Sequence, residues 1–335
     1  MPMKMQFEIH GGRIAVDAED GFLADLVNEG LTAFRCADFI VPWLSISLST
    51  EYRLPQIDSC CAPRWREFNL SKGRINLLLR TLEDEANDRL LIDFSGLATA
   101  LISYRGPRID IVVHDLDWFR THYDPLYTSS VLFKSLILEA LPLAGIFPLH
   151  AGMCAFEKAG IIIAGEPLMG KTSLLLALCR TGASLLADEL GLLSDGSTGP
   201  ELLAFPIRCK LHRHDGPIWN WLADLPASAR VSDSEADLAV FDPYAAGLTV
   251  GERAQARLLL EMCDCGTAGS IEPIDEIETA VALTMYNVFY GERHTSAHFD
   301  YAASLASKLQ GYRVVLGRDP IRVAKEILDL AHGRS

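Results

Sequence analysis

Residues Ile161 to Leu178 read IIIAGEPLMGKTSLLLAL, and the reading of this stretch decides the fold. Gly165, Gly170, Lys171 and Thr172 form the spacing G-x-x-x-x-G-K-[ST]. The β-branched run Ile161, Ile162, Ile163 before it predicts a buried strand, and Leu174, Leu175, Leu176 and Leu178 after it predict a buried helix. Strand, glycine loop and helix in that order make a Walker A phosphate-binding loop. Glycines let successive backbone N–H groups converge on phosphate oxygens with no Cβ in the way, and a helix start adds its positive end. The expected cradle is Gly165, Glu166, Pro167, Leu168, Met169 and Gly170, continued by Lys171, Thr172 and Ser173. Lys171 would reach the β- and γ-phosphates of ATP, and the Thr172 hydroxyl would ligate Mg²⁺.

Downstream, SLLADELGLL ends a predicted strand, Ser184–Ala187, in Asp188 and Glu189. Between Thr172 and Asp188 there is room for one helix, a turn and one strand, so the carboxylate would come to lie beside the loop. It would complete Mg²⁺ coordination with Thr172 or accept a proton from an attacking hydroxyl. Upstream, Leu149 to Phe156 reads as a strand that begins with His150, in a hairpin with the Ile161–Ile163 strand. A neutral imidazole there could orient the carboxylate or touch phosphate. After the acidic pair, FPIRCKLHRHDG gathers Arg208, Lys210, His212, Arg213 and His214. Arg208 and Lys210 are the candidates for holding an acidic group of the substrate.

The chain has 335 residues, 49% hydrophobic and 22% charged, with a net charge of −14. That balance suits a globular protein and argues against nucleic acid as the main partner, which needs a basic footprint. No apolar core segment opens the chain and no apolar run is long enough for a bilayer, so no membrane role and a cytoplasmic location are expected. Cys36, Cys60, Cys61, Cys154, Cys179, Cys209, Cys263 and Cys265 contain no C-x-x-C pair, which points to free thiols rather than a zinc site. Cys154 and Cys179 read as core. Residues 1–125 predict a β-rich α+β domain with a hairpin at Gly11-Gly12, and residues 126–335 the loop-bearing domain. A helix over Thr128–Leu143, a loop over Ala227–Asp242 and helices over Asp215–Ala223, Glu276–Phe289, Ala297–Leu309 and Pro320–Ala331 complete the expectation.

Together the segments from Leu149 to Leu211 and from Tyr312 to Ala331 resemble the HPr kinase/phosphorylase superfamily. H-A-G at His150, the loop, R-T-G and A-D-E at Asp188 look like that family's histidine strand, P-loop, glycine turn and paired carboxylates, with Glu189 in place of the second aspartate. The resemblance implies an α/β P-loop kinase domain of HPr-kinase/PEP-carboxykinase type with a mixed sheet. It also implies an ATP- and Mg²⁺-dependent transfer of the γ-phosphate to a serine hydroxyl of a peptide or protein, with Asp188 acting alongside His150, Lys171 and Glu189. F-P-I-R-C-K-L stands where the sugar-regulatory enzymes carry a glycine-rich signature. This and the closing Y-R-V-V-L-G-R-D-P are more similar to HPr-kinase-related proteins, some of them kinases of the C-terminal serine of lasso-peptide precursors. Two other readings stay open: a small-molecule P-loop kinase, and a nucleotide-binding regulator without transfer. The sequence also leaves room for a homo-oligomer.

Overall fold

The computed structural model describes residues 3–10, 12–31, 34–36, 42–50, 66–72, 75–122, 133, 135–205, 208–212, 218, 220–221, 225, 229–235, 238–263, 268–285, 291 and 293–333. The chain forms two compact units, Met1–Ala144 with Phe289–His294, and Gly145–Val288 with Thr295–Ser335.

The first unit is built on β1 (Met3–Ile9), β2 (Gly12–Ala18), α1 (Gly21–Leu31), β3 (Leu44–Ser49), β4 (Arg66–Lys72), β5 (Ile75–Asp84), β6 (Arg89–Phe94), β7 (Ala98–Ser103), β8 (Arg108–Val113), α2 (Leu116–His122) and α3 (Ser135–Ala140), which a 3₁₀ turn Leu141–Ala144 extends. The strands make one sheet in the order β1-β2-β3-β8-β7-β6-β5-β4. Alternation sets its buried face: Leu90, Ile92 and Phe94 are inside while their neighbours are partly exposed. Of the helix predicted over Thr128–Leu143, the described part is α3 and the 3₁₀ turn, and its predicted start lies outside the described residues. The Gly11 end of the predicted hairpin turn also lies outside them, but β1 and β2 pair in antiparallel register from Met3↔Ala18 to Ile9↔Gly12.

The second unit carries β9 (Ile146–Leu149), β10 (Gly152–Phe156), β11 (Ala159–Ala164), α4 (Lys171–Arg180), β12 (Ser184–Ala187), β13 (Gly191–Gly196), β14 (Gly199–Leu203), β15 (Cys209–His212), β16 (Arg230–Glu235), β17 (Leu238–Phe241), β18 (Arg253–Met262), β19 (Ser270–Ile274), α5 (Glu276–Thr284), α6 (Arg293–Ala306, whose first two residues belong to the first unit), β20 (Gln310–Val315) and α7 (Pro320–Ala331). Its main sheet is mixed. β11, β18 and β20 run parallel side by side, so their C-terminal ends, Ala164, Met262 and Val315, open at one edge. That edge is where α/β proteins place ligands.

Two expectations are corrected here. The strand predicted over Leu149–Phe156 is two strands. β9 pairs with β13 and β10 pairs with β12, and the chain bends between them at His150–Ala151. The partner ribbon bends opposite it, between Ala187 and Gly191. A strand that changes partners must break its ladder, and such breaks expose side chains at a corner. The loop predicted over Ala227–Asp242 instead contains β16 and β17, which with β15 make a small antiparallel sheet. Burial of Val240 and Phe241 supplies the reason: an apolar run outweighs the polar residues before it. The predicted Asp215–Ala223 helix lies mostly outside the described residues.

The core of this unit surrounds α4. Leu174 to Leu178 are all buried, against Ile161 and Ile163 of β11, Leu258 and Leu260 of β18, and Val323 and Ile327 of α7. A helix apolar all round has to be covered on every side. Each such leucine contributes about 1.5–3 kcal/mol by leaving water, so the loop that begins α4 is mounted on a rigid element.

Candidate functional site

The loop after β11 turns on two glycines in conformations that other residues avoid. Gly165 has φ 142°, and a Cβ there would stand 2.8 Å from the Cβ of Met262 and 3.0 Å from its carbonyl oxygen. Gly170 has φ 86° and occupies the N-cap position of α4, so no side chain caps the first turn. The other two helices of this unit with described caps do have them: Asp275 accepts from Glu278 N–H at the start of α5, and Asp319 from Arg322 N–H at the start of α7. The first-turn donors of α4 therefore have no side-chain cap, an arrangement that can accept water or an anion. Leu168, at the loop's apex, takes φ 68° and is 64% exposed.

Lys171 bends back over this loop. Its Nζ donates to the carbonyl oxygens of Gly165 and Glu166, each at 2.8 Å. Burial lowers its pKa, and the charges of Asp188, Glu189 and Glu166 act against that shift. An ammonium held by carbonyls and partly desolvated has charge to give to an incoming phosphate.

Asp188 is the first residue after β12 and is buried, 2% exposed. Thr172 Oγ1 donates to its Oδ1 at 2.9 Å, and the Lys210 backbone N–H donates to its Oδ2 at 3.1 Å. Burial, and then the charge of Glu189, push its pKa up to about 6, while the Lys210 N–H and the Thr172 hydroxyl hold it down. Glu189 sits at φ 66°, a left-handed conformation without a glycine. Such a residue costs of order 1 kcal/mol and persists where its surroundings dictate it. Here the Lys210 ammonium holds the Glu189 Oε2 at 2.9 Å.

The residues singled out in the sequence are thus partly brought together. Lys171, Thr172, Asp188, Glu189 and Lys210 converge on the start of α4. Ser173 is buried, and its Oγ has no hydrogen-bond partner among the described residues. His150 lies in the β9–β10 bend. The pairs Leu149↔Gly191 and Met153↔Ala187 bracket it and set it across from the Asp188–Leu190 bend. Arg208 precedes β15, half-buried, with burial lowering its pKa against the charge of Asp242. Arg213 and His214 lie outside the described residues. Of the two cysteines expected in the core, Cys154 is buried and Cys179 is only partly so.

Two groups escaped the sequence reading. The Lys210 contact to Asp188 uses backbone, which carries no residue signal. Glu261, Met262 and Cys263 at the end of β18 stand beside the loop because β11 and β18 pair in parallel. Only the apolar run of β18, Leu258 to Leu260, could have pointed there.

Thr172 and Asp188 offer hard oxygen donors. Among the described residues no group of three or more His, Cys, Asp or Glu side chains could hold a metal ion. Mg²⁺ needs no such cage, because it takes one or two protein oxygens and completes its shell with water and phosphate. The donor set fits Mg²⁺ on those terms.

No family model matches the sequence, and no curated protein is recognisably similar to it. Among solved structures the chain is similar to the HPr(Ser) kinase/phosphatase from Coxiella burnetii, at 16% identity and a TM-score of 0.28, over 56% of this chain and 95% of that one. A likeness at that level assigns no role to any residue. Among the described residues no helix is long and apolar enough to cross a membrane.

Proposed function

We propose that the protein is an ATP- and Mg²⁺-dependent kinase that transfers the γ-phosphate to a serine hydroxyl of a peptide or protein. The observation that carries this reading is the 2.9 Å hydrogen bond from Thr172 to Asp188, which joins the phosphate loop to a buried carboxylate with a pKa near 6. A regulator needs only the loop. A kinase needs a base beside it that is ionised at neutral pH yet retains proton affinity.

In this reading the N–H groups of Gly170 and the first turn of α4 cradle the phosphates, and Lys171 neutralises β- and γ-phosphate charge. Mg²⁺, held by Thr172 and Asp188, would supply further charge neutralisation. The serine Oγ attacks the γ-phosphorus as its proton passes to Asp188, and the bond to the β-phosphate oxygen breaks to release ADP. His150 and Glu189, flanking Asp188 in the two bends, orient it. Lys210 positions both carboxylates, one through its backbone N–H and one through its ammonium.

The finer reading is that the serine is C-terminal, as in lasso-peptide precursors. Its support is the resemblance of the sequence and the contact of Lys210 with both carboxylates, two residues along the chain from Arg208. A terminal carboxylate held by Arg208 would present the neighbouring hydroxyl, gaining rate by positioning. The test is phosphate incorporation, followed by mass spectrometry, into peptides with a terminal serine, an internal serine or an amidated terminal serine. Transfer to the free terminal serine, lost in excess chelator and weakened by Arg208→Ala without loss of ATP binding, is expected. Transfer to sugars or nucleosides with every peptide untouched would overturn the reading.

A further inference from the structure

We infer that a cavity beside the phosphate loop is the pocket for the base of a purine nucleotide. This rests on the reading of the loop as a nucleotide site and adds which part of the nucleotide the neighbouring surface holds. The cavity measures about 230 Å³ and is walled by Gly165, Glu166 and Met169 of the loop, Glu261 and Met262 of β18, and Met285 at the end of α5.

Position comes first. Three of these residues belong to the loop itself, so the cavity adjoins the place where phosphates would sit at the start of α4. The opposite flank of the α4 start carries Asp188, Glu189 and Lys210, the charged side of the site. A volume of this size suits a flat ring system rather than a whole large ligand.

The walls match a heteroaromatic ring. Met169 and Met285 bring two polarisable thioethers, which favour contact with π-systems and adapt to flat shapes, while Met262 is buried in the core behind them. Met285 is 58% exposed, and Val281, one turn earlier on α5, is 48% exposed. A ring laid against Met285 would cover that apolar surface.

Two carboxylates stand among them, Glu166 of the loop and Glu261 of β18, and the second is fixed in place. Glu261 Oε2 accepts from Arg313 Nε at 3.0 Å, and Arg313 is anchored in turn by Glu278 at 3.2 Å. The Glu261 Oε1 accepts nothing among the described residues. A carboxylate fixed at a pocket wall is an acceptor, so it selects a ring edge that offers N–H donors. Adenine offers its exocyclic amino group and guanine offers N1–H and N2–H; cytosine offers an amino group too, but on a single ring that would cover less of the methionine surface. Uracil presents carbonyl oxygens on both sides of its one N–H and is disfavoured.

The experiment compares Mg²⁺ complexes of ATP, GTP, UTP and inorganic tripolyphosphate by calorimetry. It also follows alkylation of Cys263, a half-exposed thiol in the same cavity, by peptide mass spectrometry. At least one purine nucleotide should bind about tenfold or more tightly than UTP and tripolyphosphate, and it should protect Cys263 where tripolyphosphate does not. Met285→Ala should weaken purine binding several-fold, leave tripolyphosphate binding unchanged and keep the melting temperature. Glu261→Gln should narrow the gap between purine nucleotides and UTP. Equal binding of all four compounds, with Cys263 equally reactive in each, overturns the base pocket and leaves the phosphate loop standing. Failure of every one of them to bind, tripolyphosphate included, removes the loop reading and the pocket with it.

Discussion

Two helices of the same unit begin in opposite ways. At the start of α5, Asp275 accepts from Glu278 N–H and Glu278 accepts in return from Asp275 N–H, so the protein satisfies its own helix end. At the start of α4 a left-handed Gly170 offers no side chain, and Lys171 bonds back to loop carbonyls instead. The first arrangement is built for stability. The second forgoes the roughly 1 kcal/mol that a cap contributes and leaves N–H donors and a positive helix end facing outward. A carboxylate behind it is held by a hydroxyl and a backbone N–H rather than by an ion pair. The contrast separates what this fold needs to stand from what it holds ready for a ligand, and substitution at each point can test it.

The largest effect should come from Asp188→Asn. Losing the proton acceptor should cut transfer by about 10²–10⁴-fold while ATP affinity holds. In the wild type the carboxylate must be ionised to act, and Mg²⁺ held on it would favour that form, so the rate should climb from acid pH and level off at or below the metal-free value of about 6. Its stability should run the other way. The folded pKa lies above the ordinary 3.8, so the folded state binds this proton more tightly, and stability drops as pH rises from about 4 through 6. The drop is of order 3 kcal/mol, and denaturant titrations of Asp188→Asn across that range should show it flattened. A pH-independent rate in the wild type would leave Asp188 as a buried structural carboxylate.

Next in size is Lys171→Ala. Removing one preorganised charge at a phosphate should lower transfer by about 10²–10³-fold, with little change in the melting temperature, because the ammonium spans only loop carbonyls. A large fall in melting temperature would make it a structural tie like Asp275.

Glu189→Gln should be milder, within about tenfold in transfer, and it should leave a signature. The Glu189 charge is one cause of the raised Asp188 pKa, so the midpoint of the rate profile should move to lower pH. An unchanged midpoint with full loss of activity would give Glu189 the role assigned to Asp188. Smallest for function is Asp275→Ala, expected to cost about 1 kcal/mol in denaturant unfolding and nothing in transfer.

Much of the site was legible because its signals are local. The apolar run before Gly165 gave β11, the leucines after Thr172 gave α4, and Ser184–Ala187 is a strand with the predicted bounds. The α7 helix begins at Pro320, as a proline at the first helical turn announces. What misled was the continuity of Leu149–Phe156. Nothing in those residues says that the strand trades β13 for β10's partner β12 at His150. Likewise no residue type marks a left-handed Glu189 or a backbone donor at Lys210, since both follow from how the two bent ribbons meet.

The amino-acid sequence by itself determined the glycine loop, its strand and helix, and the acidic pair one strand later, because each depends on spacing and periodicity within a few residues. Tertiary structure decided the rest. It brought Thr172 against Asp188, buried that carboxylate until its pKa rose, laid Lys210 along both acids, and closed Met169, Met262 and Met285 around one cavity. Those outcomes depend on strand order and register, which are set by the packing of segments far apart in the chain.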